Sequence, residues 1–447
     1  MKKKLISMLL AVSMVVGAAF TGGCSTTNQG DKNAASKKLD DSEGVKETAV
    51  KSGDEVHLKM FIGIPRFKDQ FEGYFDKFCE KYEKENGVKV TYELEMPGQN
   101  AATVLKTRLA SKDSVDIMAV HAITELPAYV QAGYIEPMDG QPFVDKMVDS
   151  AKDAVTIDGH PQGVLLESLM WGYLYNKDMF AEIGIKTADQ MPMTMAEMEE
   201  VCKKLEDKGN KPFVQAYKEI AFLFWPSFLG IQGITRTDNK DWYERMNKGE
   251  GSFSEVTDFF NVLDMIEKYG TDKALDKSSG DACADFALGK GAMLVTGPWY
   301  ADSIMEVNKD INMGVAALPV NDNPDATMIN VSASTTLCVN SGSQNKEVAT
   351  ALLNYMLDDQ ESGEFYESCM FNPVTDAQQK SMNVFPWVQD ALDWVDMGHF
   401  YPDDQNWPNS CSEDIQKVLQ AYYSGAETKE SFVEKADKLW KDSLSAN

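Results

Sequence analysis

The feature that most constrains the fold is an alternation of two-residue and helical hydrophobic periods that begins at Val56. "VHLKMFIG" alternates and then runs apolar, as a strand does. "FEGYFDKFCEKYEKENG" spaces Phe71, Phe75, Phe78 and Tyr82 at helical intervals and closes on Gly87, a residue suited to the left-handed helix end. "VKVTYELEM" alternates again, "TVLKTRLASKD" has an amphipathic helical period, and "SVDIMAVHA" reads as a third strand. Strands separated by helices predict an α/β fold with a parallel sheet and crossover helices. In open sheets of that kind ligands sit at the carboxyl ends of strands. Those ends are Ile64-Pro65-Arg66, Gln99-Asn100 and His121 to Thr124.

The alternation continues with more helix. "TMAEMEEVCKKLEDKG" carries a capping box, Thr194 with Glu197, and closes at Gly209. "SFSEVTDFFNVLDMIEKYG" predicts a helix capped by Ser252 or Ser254, and "NKEVATALLNYMLDDQESGEFYESC" a helix pair. "DIQKVLQAYYSG" and "KESFVEKADKLWKDSL" predict terminal helices. A chain of 447 residues exceeds one compact core and suits two or more lobes. No internal repeat is present.

A net charge of −27 with only four arginines (Arg66, Arg108, Arg236 and Arg245) repels phosphate backbones and anionic lipid surfaces, so nucleic acid is excluded as a partner. Lys2, Lys3 and Lys4 precede the apolar run Leu5 to Phe20, which is too short for a comfortable membrane span and reads as an export signal. The run ends in Thr21-Gly22-Gly23-Cys24, small residues before a cysteine, which resembles a lipoprotein processing site with Cys24 acylated. Thr21 stands where such sites usually carry leucine, and simple secretion with cleavage near Ala18-Ala19 is the alternative. Residues 1–23 are thus a signal, and 24–54, without an aromatic residue, are expected to form a flexible tether. Six further cysteines (Cys79, Cys202, Cys283, Cys338, Cys369 and Cys411) form no CxxC pair and read as small buried hydrophobes. The four histidines lack metal-ligand spacing, so neither metal nor cofactor is expected.

Several segments together resemble the bacterial extracellular solute-binding proteins of ABC importers, in particular the maltose-binding-like group. "GYLYNKDMFAEIGI" (172–185) is the most specific match, followed by "MPMTMAEMEEVCKKLEDKGNKPF", "FALGKGAMLVTGPWYADSI", the segment from Ser332 to Gln360, and Asn372-Pro373-Val374. The resemblance covers nearly all of Val56 to Leu444. It implies a two-lobed, type II periplasmic-binding-protein-like fold with a hinged cleft between lobes. Lobe 1 is expected at 55–168 plus 316–371, and lobe 2 at 169–315 plus 372–447. The implied partners are a carbohydrate, expected to be an oligosaccharide, the permease subunits and their ATPase. The membrane is contacted through the lipid anchor only, and the protein is expected to act as a monomer.

Sugars present apolar C–H faces and a rim of hydroxyls, which suit flat aromatics and planar polar groups respectively. Trp299, after Gly297-Pro298, matches the position where the family commonly stacks a ring on its ligand; hinge-side core is the alternative. Trp171 at the lobe crossing and Trp407 in "DDQNWPNS" are further ligand candidates, whereas Trp225, with apolar neighbours, reads as core. The polar candidates are Arg66, whose fork suits vicinal hydroxyls or a carboxylate, with His121, Glu125, Asn100 and Glu167 at strand ends. Asp116 reads as a backbone-orienting residue. The rival class is an exported glycosidase, which needs two carboxylates across a cleft; a binding protein for a non-sugar solute and a structural surface lipoprotein are the others. No GxSxG, HExxH or P-loop motif occurs, and no catalytic residue is assigned.

Overall fold

The computed structural model describes residues 50–97, 101–111, 115–383, 385–402 and 407–444, without the side chains of 409 and 410. The strands in chain order are β1 (Glu55–Phe61), β2 (Lys89–Glu95), β3 (Ile117–His121), β4 (Thr156–Ile157), β5 (His160–Pro161), β6 (Val164–Trp171), β7 (Tyr173–Asn176), β8 (Met293–Leu294), β9 (Met313–Ala316), β10 (Ile329–Val339) and β11 (Phe400–Pro402). The predicted first unit is present. β1 pairs in parallel with β2 and β3, and helix Lys68–Asn86 buries Phe71, Tyr74, Phe75 and Phe78 before ending at Gly87, φ 66°.

The sheet is mixed and not parallel throughout, which corrects the expectation. β10 runs antiparallel to both β3 and β6, and parallel to β11. The reason is topological: β6 leaves the first lobe and β10 returns to it, so the two long strands run in opposite directions. β7, β8 and β9 form a second, antiparallel sheet.

Apolar packing divides these residues between two lobes. Val164, Leu165 and Leu166 pack with β1 and helix Lys68–Asn86, while Met170 and Trp171 pack with β7 and helix Ala221–Thr237. The first change of core therefore lies within β6. The second lies within β10: the buried apolar residues from Ala316 to Ile329 pack in the second lobe's core and Leu337 and Val339 in the first, whereas the expected boundary stood at residue 316. The third falls between Met382 and Trp387, because Phe371 and Val374 still pack in the first lobe. Sequence similarity located these segments but carried no information on which face buries where.

The Thr194–Glu197 capping box forms as predicted. Ser252 instead caps the 3-10 turn Phe253–Glu255, and the α-helix proper begins at Phe259 after Asp258. All six described cysteines are free thiols, five of them buried.

Candidate functional site

Three adjacent strands bring several polar candidates into one row. Thr335 of β10 stands opposite His121 of β3 on one side and Glu167 of β6 on the other. The Thr335 hydroxyl donates to Glu167 Oε2 at 3.3 Å, and Arg66 Nη2 donates to Glu167 Oε1 at 3.2 Å. Arg66 comes from the turn after β1, where Pro65 opens a short 3-10 segment, and its guanidinium lies 4.7 Å from the centre of the Phe67 ring. Glu167 is buried, while the Arg66 side chain keeps 39% of its surface exposed, so the pair holds a buried carboxylate with a partly solvated fork.

His121 and Glu125 form one local unit. The backbone N–H of His121 donates to Glu125 Oε2 at 2.8 Å. His121 Nδ1 accepts from the amides of Ile123 and Thr124, which leaves the ring proton on Nε2. Burial lowers the His121 pKa to about 4 and raises that of Glu125, against the opposing bond from the His121 amide. Both line a hollow of ≈ 460 Å³ with Phe61, Gly63, Ala119 and Thr335, at the carboxyl ends of β1 and β3.

On the second lobe the turn after β8 carries Trp299. Its half-buried ring meets Trp171 at 5.3 Å and Trp225 at 5.1 Å, both edge to face. Gly297 has φ −113°, a conformation open to any residue, but a Cβ there would strike the Trp299 indole. The glycine makes room for the ring. Trp299, Asp302, Met370 and Asn372 close on Arg66 and Glu167 around a cavity of ≈ 20 Å³, enough for about one water.

Other candidates lie elsewhere. Trp171 is buried at 5% exposure between Trp299 and Phe228, so it supports the Trp299 ring from beneath. Trp407 is buried too; it donates to the Tyr243 hydroxyl and packs on Trp440 and Phe224 within the second lobe's core, away from Trp299 and Arg66 in the junction cavity. Asn100 and Cys24 lie outside the described residues. Trp225, read from the sequence as core, packs against the second lobe's core but is only half-buried, and it meets Trp299 and Tyr300. Pro226 follows it directly inside the helix, a position where proline removes a backbone hydrogen bond. Asp116 does orient backbone, accepting from the Lys59 amide and the Ser343 hydroxyl.

The segment Tyr175 to Asp178 serves as scaffold. Asn176 caps the next helix, Lys177 pairs with Asp390 at 2.8 Å, and Asp178 accepts from Asn312. A larger hollow of ≈ 540 Å³ lies against helix Lys346–Met356, but no aromatic side chain lines it.

Residues 68–362 match the family described as bacterial extracellular solute-binding protein. The chain is 24% identical to the multiple sugar-binding protein of Streptococcus mutans over 276 residues, 60% of this chain and 63% of that protein. Its fold is similar to the apo form of RafE from Streptococcus pneumoniae, with TM-score 0.73 and 18% identity over 89% of this chain and 100% of that one. It is also similar to a sugar transporter from Bacillus licheniformis in complex with stachyose, with TM-score 0.67 and 17% identity over 86% and 98%.

Proposed function

Because the chain belongs to the bacterial extracellular solute-binding proteins, we propose that it captures an oligosaccharide between its lobes and delivers it to an ABC importer. The observation that carries this reading is a convergence across the lobe junction. Trp299 offers a partly open indole from one lobe, and the Arg66–Glu167 pair offers a planar polar fork from the other. Ring faces for C–H groups and forks for hydroxyls are the two recognition elements that a sugar needs. The hollow beside His121 and Thr335 extends this surface along the strand ends, which gives space for more than one ring. The sugar-binding relative and the stachyose-bound neighbour support the same ligand class.

In this reading Cys24 is the acylated N-terminus and residues 25–54 are a tether that lets the lobes work close to the membrane. The permease subunits and their ATPase then receive the sugar-loaded, closed form. Recognition and closure involve no bond making or breaking, so the protein acts as a binder and not as an enzyme. A thermal-shift screen of neutral and acidic oligosaccharides on the purified chain tests this. A ligand that binds only the folded state raises its melting temperature in proportion to the logarithm of concentration over Kd. At least one oligosaccharide is expected to do so; a screen without any rise would overturn the proposal.

A further inference from the structure

We propose that Met370 is a ligand-contacting residue, held in a left-handed backbone conformation so that its thioether meets the apolar face of the bound sugar; this rests on the sugar-binding reading above. Helix Ser362–Ser368 ends in a Schellman turn: the Met370 amide bonds to the Glu367 carbonyl and the Phe371 amide to that of Tyr366. The residue at the left-handed position of such a turn is ordinarily glycine, because a Cβ there crowds the following carbonyl. This chain obeys that preference at Gly87 and Gly209, with φ 66° and 84°. At φ 55° it places methionine instead. The other two non-glycine residues at positive φ, among those described, are Asp158 and Lys273, both polar. Met370 is the apolar exception.

Its surroundings supply the reason. The flanking Cys369 and Phe371 are buried in the first lobe's core, yet the Met370 side chain packs against the second lobe's core. It is only half-buried, and it lines the small cavity that Arg66, Glu167 and Trp299 also line. A side chain that only filled the turn would be dispensable, since glycine satisfies the same hydrogen bonds at lower conformational cost. Methionine is unbranched and polarisable, so it conforms to an irregular apolar surface. From this turn it meets a ligand on the side facing Trp299, and both lobes then contribute apolar contact.

The two roles separate in Met370→Gly, which relieves the strain and removes the contact. The full chain, its Met370→Gly variant and its Met370→Leu variant are titrated calorimetrically with raffinose, stachyose and maltotriose. The expected result is at least tenfold weaker binding by Met370→Gly with an unlowered melting temperature, and near-native binding by Met370→Leu. Native affinity in Met370→Gly would overturn the proposal alone, as would a lowered melting temperature with affinity intact, the mark of a purely structural residue. If the unaltered chain binds no oligosaccharide, the sugar-binding reading itself fails and takes this proposal with it.

Discussion

Trp299 touches two other indoles and still keeps part of its surface open, so truncating it removes ligand surface sooner than core volume. Trp299→Ala is expected to weaken sugar binding at least tenfold, about 1.4 kcal/mol. Trp171→Ala should instead cost roughly 3–5 kcal/mol of stability, the usual loss for a large aromatic removed from a core. Trp225→Ala should show both effects in smaller measure. Calorimetric titration beside thermal melts checks all three. The Gly-Pro break before Trp299 marked its turn in the sequence, and the ring lies half-buried at that turn. The partial exposure of Trp225 was not legible there, because apolar neighbours describe a core helix and its burial depends on how that helix packs inside the second lobe. His121 supplies a pH prediction. Its folded pKa of about 4 lies below the unfolded 6.5, so the unfolded state binds more protons between these values. The associated stability is present above pH 6.5 and is lost as pH falls toward 4, by up to about 3 kcal/mol. Glu125 opposes this at the acid end, because its raised pKa lets the folded state take a proton more readily. His121→Asn, whose amide oxygen can replace Nδ1 as acceptor, should therefore lose less stability than the native chain between pH 6.5 and 5. Equal losses in melting experiments would contradict the assignment.

At the scale of elements, periodicity located the helices well because one face of each is buried. Phe71, Phe75 and Phe78 show this on the first helix, and Met198, Val201 and Leu205 on helix Met195–Asp207. Strand direction was beyond that signal. β6 and β10 are buried in continuous runs at their ends and do not alternate, so their pattern carries no direction, and their antiparallel register follows from crossing between lobes. The Tyr175–Asp178 segment identified the family without revealing its own task. Lys177 ties helix Lys177–Glu182 to helix Pro386–Asp396 through Asp390, whose pKa is raised by burial despite the Lys177 ammonium. Lys177→Met leaves that carboxylate without its cation and should destabilise the chain by about 2–3 kcal/mol, somewhat less than a fully buried pair. Adding Asp390→Leu should restore most of the loss. Chemical denaturation of the single and double variants measures both, and sugar affinity should stay unchanged because neither residue lines the junction cavity.

Among the described residues the chain passes between the two lobes within β6, within β10 and between Met382 and Trp387, so relative lobe motion would bend these three stretches and shift the side chains that meet across the junction, Met370 among them. A ligand that touches both lobes favours the closed arrangement by its extra contacts there. Small-angle scattering should accordingly show a smaller radius of gyration at saturating sugar, and an unchanged radius would count against closure. The order of the family's motifs pointed to a chain that crosses between lobes, but similarity does not report which core each residue of a crossing strand such as β10 joins. The most direct test of the account is calorimetric titration of the mature chain with oligosaccharides, followed by recovery of the sugar. It predicts a saturable isotherm with one sugar bound per chain and the sugar returned intact; the absence of saturable heat with every oligosaccharide, or recovery of hydrolysed sugar, would contradict it.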